Sequence, residues 1–292
     1  MTATPFNWNF QGRLITLDHG AGLASRPDFA DLMALDALSV IVFDPASLLH
    51  GSPLGEHLEL QVINGVALGD GRPLTLHACL DPHQSSSRPP QPLVPVPAPL
   101  QRGAQVLARL PIRSAQLDEL QGLKALDWLV LDDRHDTLNI LQHGPGVLDQ
   151  LLLAQISVCM LAPHASDFEF GPLCQRLAGH GLQFHRFHAP THLSQFPAEL
   201  QLAEPRATQL QTMQALFIPT PSRLAQLPPQ RRLKLAFAVD TAYGLHDLAY
   251  RLLADIDQGQ AARYLRARHY LPAVSLEQTS FTLTAEYSPA PW

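Results

Sequence analysis

Apolar residues in this chain fall into short runs bounded by turn residues, with stretches of helical spacing between them. Residues 14–17 read as a buried strand, and Asp18, Gly20 and Gly22 form an acid-and-glycine turn after it. Residues 28–35 read as a helix, and 38–43 as a second buried strand ending in Asp44. That succession predicts a βαβ unit in a parallel sheet. A third strand is expected over residues 60–68, closed by the turn Gly69-Asp70-Gly71-Arg72. The fourth covers 127–131, the fifth 156–161, and the last two, antiparallel, cover 182–187 and 213–218. The fold class expected is therefore α/β, a Rossmann-like, mostly parallel seven-stranded sheet with its last strand antiparallel.

Between the strands, residues 46–59 read as a short helix and loop, and 73–79 as an antiparallel excursion pairing with the third strand. Residues 81–99 are too rich in proline for a helix or a central strand. They read as a surface loop across the strand ends, with Ser85, Ser86 and Ser87 either solvated, the favoured reading, or donating to a ligand. Helices are expected from Ser114, with Leu117, Leu120 and Leu123 on one face, from Thr137, and over 147–155. Another opens at the capping box Ser166-Asp167-Phe168-Glu169 and stops near Gly181. Past Pro221 the pattern turns helical over 228–243, 245–256 and 259–268, with Leu245, Leu248, Ala249, Leu252 and Ile256 tracing one stripe. The expected organisation is an α/β domain over 1–220 and a C-terminal helical extension over 221–292.

Composition narrows the class. The 292 residues are 46% hydrophobic, enough for a sizeable core. A net charge of −6 leaves no footprint for nucleic acid or an anionic membrane. No apolar run reaches transmembrane length, and the first residues lack the layout of a signal peptide. Three widely spaced cysteines with no CxxC pair suggest reduced thiols and a cytoplasmic location.

Candidate chemistry collects at the carboxyl ends of the predicted strands. Glycines after the first strand let a backbone approach a ligand, and Asp44 after the second can accept hydrogen bonds from ribose hydroxyls. The same residues also suit a plain tight turn and a cap. Asp132-Asp133-Arg134-His135-Asp136 ends the fourth strand and reads either as a site or as a helix N-terminus. His185, His188 and His192 share their segment with Pro190 and no cysteine, so no metal site is assigned to them.

Asp18-His19-Gly20-Ala21, Phe43-Asp44-Pro45, Val66-Ala67-Leu68-Gly69-Asp70 and Ser85-Ser86 follow one another in order, and DWLVLDDRH then DTLNILQHG come after them. In that order they resemble the FkbM family of S-adenosylmethionine-dependent methyltransferases. The resemblance implies that Asp18, Gly20, Ala21 and Gly22 line the methionine end of S-adenosylmethionine. It implies that Asp44 holds the ribose, that Ala67 and Leu68 flank the adenine, and that Asp132 lies near the transferred methyl. It also implies O-methylation of a small molecule or glycan. From the residues themselves, Arg134 is expected to pair with Asp133 or Asp136, which leaves His135 as the replacement base. The chain departs from the family pattern at Ala24, Val130, Arg134 and His135, where the family has glycine, lysine, glutamate and glycine. The rival expectation is a catalytically silent homologue that binds a partner; association with itself or another chain stays open.

Overall fold

The computed structural model describes residues 6–50, 58–89, 102–121, 125–160, 170–196 and 207–272. In chain order the elements are β1 (Leu14–His19), α1 (Phe29–Ala34), β2 (Leu38–Asp44), β3 (Leu60–Asn64), β4 (Val66–Leu68), β5 (Leu74–Cys79) and β6 (Val106–Ala115). Then come β7 (Trp128–Leu131), α2 (Thr137–Gln142), α3 (Pro145–Gln150), β8 (Leu153–Cys159), α4 (Phe170–Gly179), β9 (Leu182–Leu193) and β10 (Gln209–Pro219). Helices α5 (Pro221–Gln226), α6 (Pro229–Thr241), α7 (His246–Ala254) and α8 (Gln258–Ala267) follow.

Seven strands form the central sheet in the order β3-β2-β1-β7-β8-β10-β9. Pairing is parallel from β3 to β8, and β10 runs against both β8 and β9. Counted within this sheet the order is 3-2-1-4-5-7-6. That is the doubly wound Rossmann order with one reversed strand inserted before the last. The expected Rossmann-like, mostly parallel sheet is therefore present, with helices after it.

The strands read as continuous apolar runs because both faces are covered. Trp128 and Val130 pack in one cluster with α1 and with Phe237, Val239, Leu252 and Tyr264 of the C-terminal helices. Leu129 and Leu131 point the other way, into a cluster with Ile140, Leu148 and Leu177 of α2, α3 and α4. A buried carboxylate ties α6 to the sheet. Asp127 accepts from the Ile15 amide at 3.1 Å, Lys234 Nζ at 2.8 Å and Arg231 Nη2 at 3.3 Å. Arg231 is thus in part a structural anchor.

Several local expectations are corrected. The run 60–68 is not one strand: Gly65, at φ +67°, breaks it. β3 stays in the main sheet, while β4 joins β5 and β6 in a separate sheet of order β4-β6-β5. β5 therefore pairs with β6, not with the third strand. The helix expected from Ser114 is absent, because Ser114 is held in the β6 ladder opposite Ala67. A single 3-10 turn, Leu117–Glu119, follows and buries Leu117 in the core. The helix expected over 147–155 ends at Gln150, since the buried run after it starts β8 at Leu153. β9 continues to Leu193, past its expected end. The Ser166–Glu169 capping box, residues 51–57 of the 46–59 segment and residues 90–99 of the 81–99 segment lie outside the described residues. No helix among the described residues is long and apolar enough to cross a membrane.

Candidate functional site

β1 lies between β2 and β7, so the chain leaves β1 toward one neighbour and enters β7 on the other side. Such a reversal opens a crevice at the carboxyl ends of the two central strands, where doubly wound sheets take ligands. The turn after β1 is shaped by Asp18, whose Oδ2 accepts from the amides of Leu23 (2.9 Å) and Ala24 (2.8 Å). Curling back onto that carboxylate puts Gly20 at φ +89° and Ala21 at φ +58°. A non-glycine residue in the left-handed region stores strain of the kind that clusters at ligand sites. Asp18 Oδ1 is buried with no hydrogen-bond partner. Burial pushes the Asp18 carboxyl up to about 7, with the Asp132 charge adding to it, against the pull of the Ala24, Leu23 and Gly22 amides.

The turn after β7 meets Gly20. A Cβ built on Gly20 would overlap the Asp132 carboxylate and come within 2.8 Å of Arg134 Nη2, so glycine is required here by space as well as by φ. Arg134 Nε donates to Asp132 Oδ2 at 2.6 Å, and Arg134 Nη2 donates to the Gly20 carbonyl. Burial is the largest single influence on Arg134 and lowers its pKa. The carboxylates of Asp132, Asp133 and Asp44 together outweigh it and hold the guanidinium above its ordinary value. Asp133 is raised by burial and by Asp132.

His19 joins the two turns. Its Nε2 accepts from the Leu68 amide at 3.0 Å, which fixes the ring proton on Nδ1. Nδ1 faces Asp132 Oδ1 at 3.9 Å, and neither atom has a hydrogen-bond partner. Burial, then the neighbouring His135, lowers the His19 pKa to about 3, so the ring is neutral. His135 stacks obliquely on it at 4.4 Å between centroids, and its Nδ1 lies 3.0 Å from Ser87 Oγ.

His19, Asp132 and His135 are buried and each offers a ligand atom within 4.8 Å of the others. A metal-bound histidine gives its second ring nitrogen to an acceptor. Here the second nitrogen of His19 meets the Leu68 N–H, a donor. His19 therefore reads as a neutral ring held by the Leu68 amide beside the Asp132–Arg134 pair. The histidines at 185, 188 and 192 lie on β9, away from this trio.

Of the sequence-derived residues, Asp18, Gly20, Leu68, Asp132 and His135 meet around this crevice. Asp44 ends β2 beside them, fully buried, with Oδ1 and Oδ2 accepting from the amides of Leu48 (2.9 Å) and Leu49 (2.8 Å). Ala21 packs in the main core, and Ala67 in a small cluster with Leu76 and Ile112. A Cβ at Gly22 would look toward Asp18 and Val130. Two expectations fail. Arg134 pairs with Asp132, whereas Asp133 and Asp136 were the partners expected; Asp136 caps α2 and faces Arg88 at 3.2 Å. Ser85 and Ser86 are buried, not solvated, because Ser85 Oγ accepts from the Cys79 amide and Ser86 Oγ donates to the Arg134 carbonyl. Sequence reasoning also missed His19. Its signal was a polar residue wedged between the strand's acid and the glycine, at a position where a buried ring must find a partner.

No family model matches the chain, and no curated protein matches it. Among solved structures, a TehB-like SAM-dependent methyltransferase from Corynebacterium glutamicum is similar at 13% identity, over 72% of this chain and 83% of that one, with a TM-score of 0.31. A precorrin-6y C5,15-methyltransferase from Geobacter metallireducens is similar at 11% identity, over 72% and 84%, with a TM-score of 0.34.

Proposed function

We propose that the chain binds S-adenosylmethionine at the carboxyl ends of β1, β2 and β7 and methylates a hydroxyl of a small molecule or glycan. The observation that carries this reading is the sheet order β3-β2-β1-β7-β8-β10-β9, with the left-handed Gly20 turn and the Asp132 carboxylate facing one another at its switch point. The donor set also suits the ligand. A carbonyl and a carboxylate favour the cationic methionine end, and the Asp44 oxygens keep lone pairs for ribose hydroxyls beyond the two amides they accept. Leu68, held by its amide against His19, is the residue this reading assigns to the adenine end.

The cofactor supplies the activated methyl group, so the protein's tasks are alignment and removal of the acceptor's proton. His135 is the base in this reading, and an acceptor hydroxyl takes the position that Ser87 Oγ holds at 3.0 Å from Nδ1. His19, neutral and with its proton on Nδ1, does not compete for the proton.

Calorimetric titration with S-adenosylhomocysteine tests the cofactor half. Asp44→Asn removes the charge and keeps an acceptor for one of the Leu48 and Leu49 amides, its NH2 facing the other, so circular dichroism and a urea midpoint accompany the titration. Affinity is expected to fall by roughly 1.5–3 kcal/mol, the worth of a hydrogen bond to a charged group. Unchanged affinity in that variant contradicts the ribose assignment. A catalytically silent, partner-binding homologue is the second reading, favoured by the guanidinium already seated on the Gly20 carbonyl and Asp132.

A further inference from the structure

We infer that Arg134 closes the cofactor site from within, standing where the cationic end of the ligand belongs, and that residues 85–88 strap it in place. The inference rests on the cofactor reading above and concerns how that site is regulated.

Two acceptors at the switch point are suited to a cation, the Gly20 carbonyl and the Asp132 carboxylate. Both are taken by one guanidinium, through Nη2 and Nε. The Arg134 side chain is 12% exposed and its Asp132 partner 7%. This is a buried pair, not a surface contact that solvent competes away. A ligand ammonium or sulfonium arriving here finds the Gly20 carbonyl and Asp132 Oδ2 already engaged by a cation, with Oδ1 alone of the carboxylate unpaired.

The strap explains why the guanidinium stays. Three consecutive residues of one segment engage three consecutive residues of the turn. Ser86 Oγ donates to the Arg134 carbonyl, Ser87 Oγ meets His135 Nδ1 at 3.0 Å, and Arg88 Nη2 meets Asp136 Oδ1 at 3.2 Å. The strap is rooted on β5. Ser86 and His77 exchange backbone hydrogen bonds at 2.8 and 3.2 Å, and Ser85 Oγ accepts from the Cys79 amide at 3.0 Å. β5 belongs to the same small sheet as β4, whose Leu68 amide holds His19. The β4-β6-β5 sheet thus bears on the site directly at Leu68 and, through the strap rooted on β5, at Ser86, Ser87 and Arg88, and a movement of that sheet would release Arg134 and Ser87 together. Opening frees the cation acceptors and the face of His135 in one step.

The test is calorimetric titration of S-adenosylmethionine and S-adenosylhomocysteine into three proteins: wild type, Arg134→Ala, and Ser86→Ala/Arg88→Ala, which leaves Arg134 present but loosens its strap. Self-closure predicts at least tenfold tighter binding by Arg134→Ala and a smaller gain by the strap variant. Circular dichroism and urea midpoints check folding; if Arg134→Ala fails to fold, Arg134→Met, of similar length and without donors, takes its place with the same expectation. Measurable wild-type binding that Arg134→Ala leaves equal or weakens overturns the inference while the cofactor reading stands. Absence of binding by all three folded proteins at millimolar ligand overturns both.

Discussion

Gly20→Ala is the substitution that most directly probes how tightly the two turns are fitted together. Two effects add. At φ +89° an alanine enters a region that costs an L residue roughly 1–2 kcal/mol. Its Cβ would also overlap the Asp132 carboxylate and press on Arg134 Nη2, so the carboxylate must swing away and surrender its hydrogen bond to the guanidinium. A hydrogen bond between charged groups contributes about 1.5–3 kcal/mol, which brings the expected loss to about 2.5–5 kcal/mol. Gly65→Ala is the internal control. Its φ is +67°, yet nothing lies within 4 Å of the added Cβ, so strain acts there without collision. That variant should lose about 1–2 kcal/mol. Urea unfolding followed by circular dichroism gives both values from midpoint and slope. A further variant, Gly20→Ala/Arg134→Ala, should lose less than the sum of its parts, because an unpaired Asp132 can move aside. If Gly20→Ala costs no more than Gly65→Ala, the two turns are not packed as described.

Asp18 makes stability depend on pH. Its carboxyl is raised from 3.8 to about 7, so the stabilising share is fully present below pH 4 and is lost as pH rises through 7. At 1.36 kcal/mol per unit that share is about 4 kcal/mol, and Asp18→Asn should flatten the decline in a urea series from pH 5 to 8. An unaltered slope in that variant assigns the decline to another group. Asp127→Ala should cost roughly 3–5 kcal/mol in urea midpoints, because Lys234 and Arg231 lose a buried carboxylate. A loss below 1 kcal/mol would mean that α6 is held by apolar packing alone. For the proposed reaction, His135→Ala should lower turnover about 10²-fold or more with S-adenosylhomocysteine affinity unchanged; equal turnover removes His135 as base.

The fold was legible because a sheet covered on both faces demands continuous apolar runs, and Trp128–Leu131 or the β2 run can be nothing else. Where local and tertiary preferences conflict, the pattern misleads. Leu117, Leu120 and Leu123 have helical spacing, yet the β6 ladder captures the residues before them. Gly65 looks like an ordinary residue inside a strand until its positive φ sends β4 to a different sheet. At the site, Asp18, Gly20, Asp44 and Asp132 were placed correctly at strand ends because topology alone brings such ends together. The partner of Arg134 was not readable. Asp132, Asp133 and Asp136 are all within reach along the chain, and the choice depends on how the turn meets Gly20. Ser85 and Ser86 carry no apolar signal, so their burial follows only from the carbonyl and amide groups that need them.

The central claim is that an S-adenosyl ligand binds where β1, β2 and β7 end. A crystal structure of the Arg134→Ala protein grown with S-adenosylhomocysteine tests it most directly. The account predicts the ribose within hydrogen-bonding distance of the Asp44 carboxylate, the adenine against Leu68, and the amino-acid end between the Gly20 carbonyl and Asp132. Ligand bound elsewhere on the chain, or none at saturating concentration, would contradict it.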